Sequence, residues 1–214
     1  MSTDLAEIRS DYLLGKLSRE DLSADPIEQF NRWLDEAIHS GLREPTAMSL
    51  ATAGADGRPL LRTVLLKGVD PRGFVFFTNL ESRKARQLAE NPHTSLLFPW
   101  LALERQVIIT GTATRLTTIE VFKYFVSRPR DSQLAAWASS QSSVISSRQV
   151  IEMEWEHMKH KFAVGTVPLP SFWGGYRVRP QTIEFWQGGP HRLHDRFEYR
   201  RQEDDSWLIE RLAP

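Results

Sequence analysis

The stretch TAMSLATAGADGRPLLRTVLLK, residues 46–67, decides the fold class. Residues 46–53 and 59–67 read as strands, and Gly54-Ala55-Asp56-Gly57 between them supplies turn chemistry, so a β-hairpin is predicted. Downstream, Asp70-Pro71-Arg72-Gly73 turns the chain into a strand over 74–78, and two more strands are predicted over 93–100 and 104–115. The last stretch, 174–212, reads as three or four strands with a turn at Asp204-Asp205. Strands that arrive as consecutive hairpins, not alternating with helices, predict an α+β protein: an antiparallel barrel or sheet with peripheral helices. A doubly wound parallel sheet does not fit that order.

The helices have their own punctuation. Asp25-Pro26 is an N-cap followed by proline at the first helical position, and Ile27, Phe30, Trp33, Leu34, Ala37 and Ile38 recur at helical spacing before Gly41. A short helix is predicted over 82–90. Thr117-Thr118-Ile119-Glu120 is a capping box opening a helix to about Val126, and Ser146-Ser147-Arg148-Gln149 reads as a second, opening a helix to about Phe162. Residues 1–20 are polar and weakly helical and are expected to form a mobile arm, with 21–214 as a single domain.

Composition excludes several classes of function. Lysine plus arginine and aspartate plus glutamate each total 27, which argues against a basic nucleic-acid surface. There are no cysteines, so thiolate metal sites, iron–sulfur clusters and cysteine nucleophiles are ruled out. No apolar run is long enough for a signal peptide or a membrane span, and a soluble, cytoplasmic protein is expected. Twenty-one of the 27 cations are arginine. Genomic base composition and phosphate recognition both account for such an excess.

Three segments carry candidate chemistry. In Asn79-Leu80-Glu81-Ser82-Arg83-Lys84 a strand runs into a helix start that bears two cations. These oppose the helix dipole unless an anion lies there or the side chains reach solvent. In the segment around Ser127-Arg128-Pro129-Arg130, Tyr124 and Arg128 share a helix face, and a new helix starts near Asp131 or Ser132. That is a second phosphate-shaped set, or an ordinary helix connection. In Trp186-Gln187-Gly188-Gly189-Pro190-His191-Arg192-Leu193-His194-Asp195-Arg196, strand parity puts Arg192, His194 and Arg196 on one face and separates His191 from His194 as joint metal ligands. Three adjacent cations need an anion, an acid or water against them. No Walker loop, dinucleotide turn, HExxH helix or nucleophile elbow is present. Two phosphate-like sites without nucleophile or metal point to a phosphorylated cofactor that carries the chemistry.

At these residues the chain resembles the pyridoxine/pyridoxamine 5′-phosphate oxidase family. The segments are RTVLLK (62–67), FFTNLESRKARQL (76–88), LLFPWLALERQV (96–107), SRPRDSQLAAWAS (127–139), PLPSFWGGYRV (168–178) and IEFWQGGPHRLHDRF (183–197). The resemblance implies an FMN-binding split barrel, an obligate homodimer with 170–214 as its dimerisation segment, and FMN in clefts at the subunit interface. It implies oxidation of pyridoxine and pyridoxamine 5′-phosphates by dioxygen to pyridoxal 5′-phosphate, with release of hydrogen peroxide and, from the amine, ammonia. Nucleic-acid and membrane partners are not expected.

Carried over residue by residue, Arg62, Thr63, Val64, Leu65, Leu66, Lys67, Phe77, Thr78, Arg83, Lys84, Gln106, Gln141, Ser142, Trp186 and Arg196 match FMN-binding positions. Lys67, Tyr124, Arg128 and Ser132 match the substrate-phosphate positions; Arg192 and His194 match those over the substrate ring and are the catalytic candidates. Arg9 and Tyr12 match an N-terminal pair that closes over the substrate. Arg62 and Lys67 have opposite parity, so a regular strand sends them to opposite faces unless a bulge intervenes or part of the contact is main-chain. A phenazine-biosynthesis flavin oxidase and a noncatalytic flavin or pyridoxal phosphate binder are the rival readings. The Tyr124, Arg128 and Ser132 set speaks against the first, and Arg192 with His194 against the second.

Overall fold

The hairpin of residues 46–67 forms as β1 (Ala47–Ala53) and β2 (Pro59–Leu65). Gly57 closes its turn with N–H to the Gly54 carbonyl at 3.0 Å, from a φ of 71° that suits glycine. In the computed structural model, which describes residues 11–214, this hairpin edges a nine-stranded sheet. The other strands are β3 (Gly68–Asp70), β4 (Gly73–Asn79), β5 (His93–Trp100), β6 (Arg105–Arg115), β7 (Trp173–Gln187), β8 (Asp195–Arg201) and β9 (Trp207–Leu212). The order is β2-β1-β5-β6-β7-β4-β3, with β8 on β7 and β9 on β8. The first half of β7 pairs antiparallel with β4, Phe77 opposite Gly175, and its second half with β8, Trp186 opposite Arg196.

The helices are α1 (Pro26–His39), α2 (Arg83–Glu90), α3 (Thr118–Ser127), α4 (Arg130–Ala138) and α5 (Arg148–Lys161). The side chain of Asp25 accepts from Ile27 N–H at 2.8 Å and caps α1, an arrangement worth about 1 kcal/mol. The capping box at Thr117 forms in full. The one expected at Ser146 does not: α5 starts one residue later, with Ser147 as N-cap and no side-chain cap bond. That register puts Val150 where Gln149 was needed, and valine has nothing to return to the cap. α4 likewise begins at Arg130, behind Pro129, one to two residues before the expected start.

The chain divides into two compact units. The first takes Met1–Leu50, Ser95–Gly111 and Pro180–Pro214; the second takes Ala51–Thr94 and Thr112–Arg179. In the first, α1 buries Phe30 and Trp33, Phe30 meeting Phe98 edge-on at 4.9 Å and Trp33 meeting Phe185 at 5.2 Å. In the second, Val121, Phe125, Leu134, Ala138, Met158, Val167 and Trp173 form one apolar cluster that holds α3, α4 and α5 together. Gly73 turns β3 into β4 at a φ of 132°, where a Cβ would lie 2.0 Å from the Val178 carbonyl oxygen. Of the segment expected to be a mobile arm, residues 1–10 lie outside the described residues. Residues 11–18 run as irregular chain into a 3-10 turn (Arg19–Asp21), with Leu17 buried and its N–H donated to Asp195 Oδ2 at 3.0 Å.

Candidate active site

The second unit contains a cavity of about 430 Å³ on which the end of β2, β4, α2, α3, α4 and the start of β7 converge. Ten of the residues expected from sequence line it: Thr63, Val64, Leu65, Lys67, Phe77, Thr78, Lys84, Tyr124, Arg128 and Gln141. Its floor is a stack of three nearly parallel rings. Phe77 lies 3.9 Å from Tyr124 at 12° and 5.3 Å from Trp173 at 4°. Trp173, a member of the 168–178 segment, was not singled out from sequence. β4 and β7 bring it beside Phe77 by long-range pairing, which no local pattern encodes.

Two cationic groups meet the cavity. Lys84, in the first turn of α2, is only 9% exposed and lines the cavity, so of the two cations at this helix start Lys84 turns inward and Arg83 outward. Lys84 Nζ donates to Gln141 Oε1 at 2.8 Å and Thr78 Oγ1 at 3.2 Å, both neutral oxygens. Burial first, then the charge of Arg62, lowers the Lys84 ammonium to about 8. Burial and the charge of Arg83 depress Arg62 as well. Arg62 donates to Thr52 Oγ1 at 2.6 Å, on the face of β2 opposite Thr63 and Leu65. The strand ends at Leu65, and Lys67 lines the cavity, so no bulge is needed to send Arg62 and Lys67 to different sides. Leu66 is buried in the core. Ser142 Oγ accepts from the Arg83 N–H at 3.3 Å, which uses one donor of the α2 N-terminus.

Lys67, Tyr124 and Arg128 line the same cavity. Arg128, the residue after α3, lies over the Trp173 ring at 5.0 Å. Its Nη1 is buried and has no hydrogen-bond partner. Burial lowers the guanidinium and raises the Tyr124 hydroxyl, each offset in part by the other. A buried guanidinium N–H left unbonded costs about 1–3 kcal/mol or more, so such a group fits a site made for an anionic acceptor. Ser132, in the first turn of α4, does not line the cavity, although Ala135 and Ala136 of that helix do.

The remaining expected residues belong to the first unit. Trp186 is the last residue but one of β7, and Tyr12 meets it edge-on at 5.7 Å and meets His194 at 5.4 Å. Gly188 permits this, because a Cβ there would lie 2.7 Å from the Tyr12 ring. The root of the 188–194 loop is fixed by Gln187, whose buried amide accepts from Arg105 Nε at 2.8 Å and donates to the Glu104 carbonyl at 3.2 Å. Gly189 N–H donates to His194 Nδ1 at 3.2 Å, so the neutral ring carries its proton on Nε2. Gln106 is half-buried on β6, and Arg9 lies outside the described residues.

The expectation that Arg192, His194 and Arg196 share one strand face is corrected. β8 begins only at Asp195, and Pro190–Arg192 is a 3-10 turn with His191 and Arg192 at φ of 55° and 62°. Gly188, Gly189 and Pro190 break the alternation on which that parity rested. Arg192 stands exposed on the turn, while Arg196 is held by Glu184 through a two-pronged ion pair, both contacts 3.0 Å. The acid that its charge required is therefore a diagonal neighbour on β7. Among the described residues no group of three or more His, Asp or Glu side chains is placed to hold a metal, and no helix is long and apolar enough to cross a membrane.

Comparison with known proteins agrees with this architecture. A family model described as pyridoxamine 5′-phosphate oxidase matches residues 34–162, and one for the pyridoxine 5′-phosphate oxidase C-terminal dimerisation region matches residues 173–214. The chain is 60% identical over 211 residues to the pyridoxine/pyridoxamine 5′-phosphate oxidase of Rippkaea orientalis, covering 99% of this chain and 100% of that one. It is 59% identical to the enzyme of that name from Vibrio cholerae, over 99% of this chain and 100% of the other. Among solved structures, PhzG from Burkholderia lata, in complex with tetrahydrophenazine-1-carboxylic acid, superposes with a TM-score of 0.86 at 34% identity. The match covers 91% of this chain and 95% of that one. An α+β split barrel with these sequence matches along nearly its whole length places the chain in the pyridoxamine 5′-phosphate oxidase family.

Proposed function

We propose that this protein oxidises pyridoxine 5′-phosphate and pyridoxamine 5′-phosphate to pyridoxal 5′-phosphate, as a homodimer that holds FMN at the subunit interface. The observation that carries the reading is Arg128, half-buried, whose buried Nη1 lacks an acceptor on a cavity shared with Lys67 and Tyr124. A phosphate dianion supplies that acceptor. Lys84, with the charge of Arg62 beside it and Arg83 next to it at the start of the helix, fits the FMN phosphate: Lys84 lines the cavity, finds only neutral oxygens and has a depressed proton affinity at a helix start, where an anion would satisfy both ammonium and backbone donors.

Held by Lys84 and the residues beside it, FMN would supply the hydride acceptor for the substrate carbon and the route by which the electrons reach dioxygen as hydrogen peroxide. The chain's own part is binding and orientation. Lys67, Tyr124 and Arg128 anchor the substrate phosphate, and the Phe77, Tyr124 and Trp173 rings set the plane beside it. Arg192 and His194 complete the site over the substrate ring in the homodimer. With Nδ1 occupied by the Gly189 N–H, neutral His194 offers an Nε2–H and orients a substrate oxygen or nitrogen as a donor. Tyr12, and Arg9 before it, would cover the bound substrate.

A peroxide assay with four arms tests the reading: pyridoxine 5′-phosphate, pyridoxamine 5′-phosphate, unphosphorylated pyridoxine and no substrate. Peroxide in the first two arms, with ammonia only in the second, is expected. Equal turnover of pyridoxine and its phosphate would refute the anchor. A second reading, a flavin oxidase of unphosphorylated substrates, draws on the PhzG superposition. It requires Arg128 to be dispensable.

A further inference from the structure

Outside the cavity, Arg177 on β7 is 13% exposed and joins two carboxylates from different elements. Its Nη1 donates to Asp70 Oδ1 at 2.7 Å and its Nη2 to Glu120 Oε1 at 3.0 Å. Asp70 ends β3, three residues after Lys67, and its carboxylate is also fixed by the Arg72 N–H at 2.8 Å. Glu120 closes the capping box of α3: its Oε2 accepts from Thr117 N–H at 3.0 Å while its Oε1 takes Arg177. The spacing is informative. Glu120, Tyr124 and Arg128 follow one another at intervals of four, so Arg177 grips the same helical stripe that carries Tyr124 and Arg128 to the cavity. Through Asp70 it also grips the strand that leads from Lys67, whose N–H is bonded to the Val75 carbonyl at 2.8 Å, and Val75 lies opposite Arg177 in the sheet.

We propose that Arg177 is a positioning residue for the substrate-phosphate anchor, setting Lys67 against Tyr124 and Arg128 from outside the cavity. This rests on the function proposed above. Eight residues of helix separate Glu120 from Arg128, about 12 Å. A tilt of about 5° at the gripped end therefore moves the guanidinium by about 1 Å, a displacement large enough to cost one to two orders of magnitude in binding or rate. Burial works against the Asp70 charge but is outweighed by the bonds from Arg72 and the charge of Arg177; Glu120 is lowered first by the Thr117 bonds and then by Arg177. Both acids are thus held ionised for the grip.

The test uses FMN-loaded enzyme and pyridoxine 5′-phosphate. Arg177→Gln is expected to raise KM about tenfold, with kcat changed less than about twofold and FMN content unchanged. In an Arg128→Ala background the same change is expected to raise KM less than about twofold, because the group it positions is gone. Arg177→Lys, which can satisfy one carboxylate, is expected to recover part of the loss. Should Arg177→Gln fail to fold, Glu120→Gln serves: a glutamine oxygen keeps the cap on Thr117 and then turns its NH2 toward Arg177, donor against donor. That variant is expected to show the same rise in KM. A KM unchanged in these variants, or a rise that adds in full to that of Arg128→Ala, overturns the proposal. If Arg128→Ala alone leaves KM unchanged, the phosphate anchor itself falls, and the proposal with it.

Discussion

The Lys84 ammonium gives a quantitative prediction about cofactor binding. Its lowering from 10.5 to about 8 corresponds to roughly 3 kcal/mol that disfavours the charge in the folded apoprotein. The unfolded chain holds this proton up to about 10.5, so the cost is present below pH 8 and is relieved as Lys84 deprotonates. Apoprotein stability should therefore gain from Lys84 as pH rises from about 8 to 10.5. A phosphate dianion against Nζ restores the charged form, so FMN binding above pH 8 must take up a proton. Its affinity should then fall about tenfold per pH unit, and about 30-fold between pH 7 and 9.5. Titrating apoprotein with FMN at the two pH values, by quenching of flavin fluorescence, measures the ratio; calorimetry in two buffers of different ionisation enthalpy measures the proton. Lys84→Met should bind FMN more weakly at pH 7 and lose most of the pH dependence. A flat wild-type affinity, or a Lys84→Met protein that keeps the 30-fold loss, would refute the assignment.

Arg128→Met should move stability and function in opposite directions. Removing a half-buried cation whose Nη1 is buried and unbonded should stabilise the apoprotein by about 1 kcal/mol, a rise in Tm of about 3 °C, while raising KM for the phosphorylated substrate at least tenfold; calorimetry and steady-state kinetics report the two signs. Gly188→Ala should expel the Tyr12 ring, lowering kcat/KM as Tyr12→Ala does, with the double variant no worse than either. His194→Gln, whose amide N–H lies near the position of Nε2, should keep kcat within about tenfold, whereas His194→Asn, which mimics the Nδ1 side, should lose more. Equal losses in the two variants would remove the donor role.

What sequence revealed was local. Asp25-Pro26 caps α1, the Thr117 box opens α3 and the Gly54–Gly57 turn joins β1 to β2, because each depends on contacts within four residues. Tyr124 and Arg128 reach one cavity because helical spacing is strict. Reading failed where one residue of register decides the outcome, as at Ser146, or where glycine and proline interrupt a period, as between Gln187 and Asp195. It also could not show partnerships made by strand pairing. Trp173 joins Phe77, Glu184 takes Arg196, and Arg177 joins residues 70 and 120, all through contacts between distant parts of the chain.

The left-handed pair at His191 and Arg192 has a consequence for engineering. A non-glycine residue in this region costs about 1–2 kcal/mol, and here two sit in succession on an exposed turn. Thermostabilisation guided by backbone geometry would choose glycine at both positions. At 191 the exchange is available; at 192 it deletes the guanidinium proposed to meet the substrate ring. Adjacent codons with the same conformational handicap would therefore give opposite results in a library screened first for heat resistance and then for turnover, and position 192 would be where the two screens disagree.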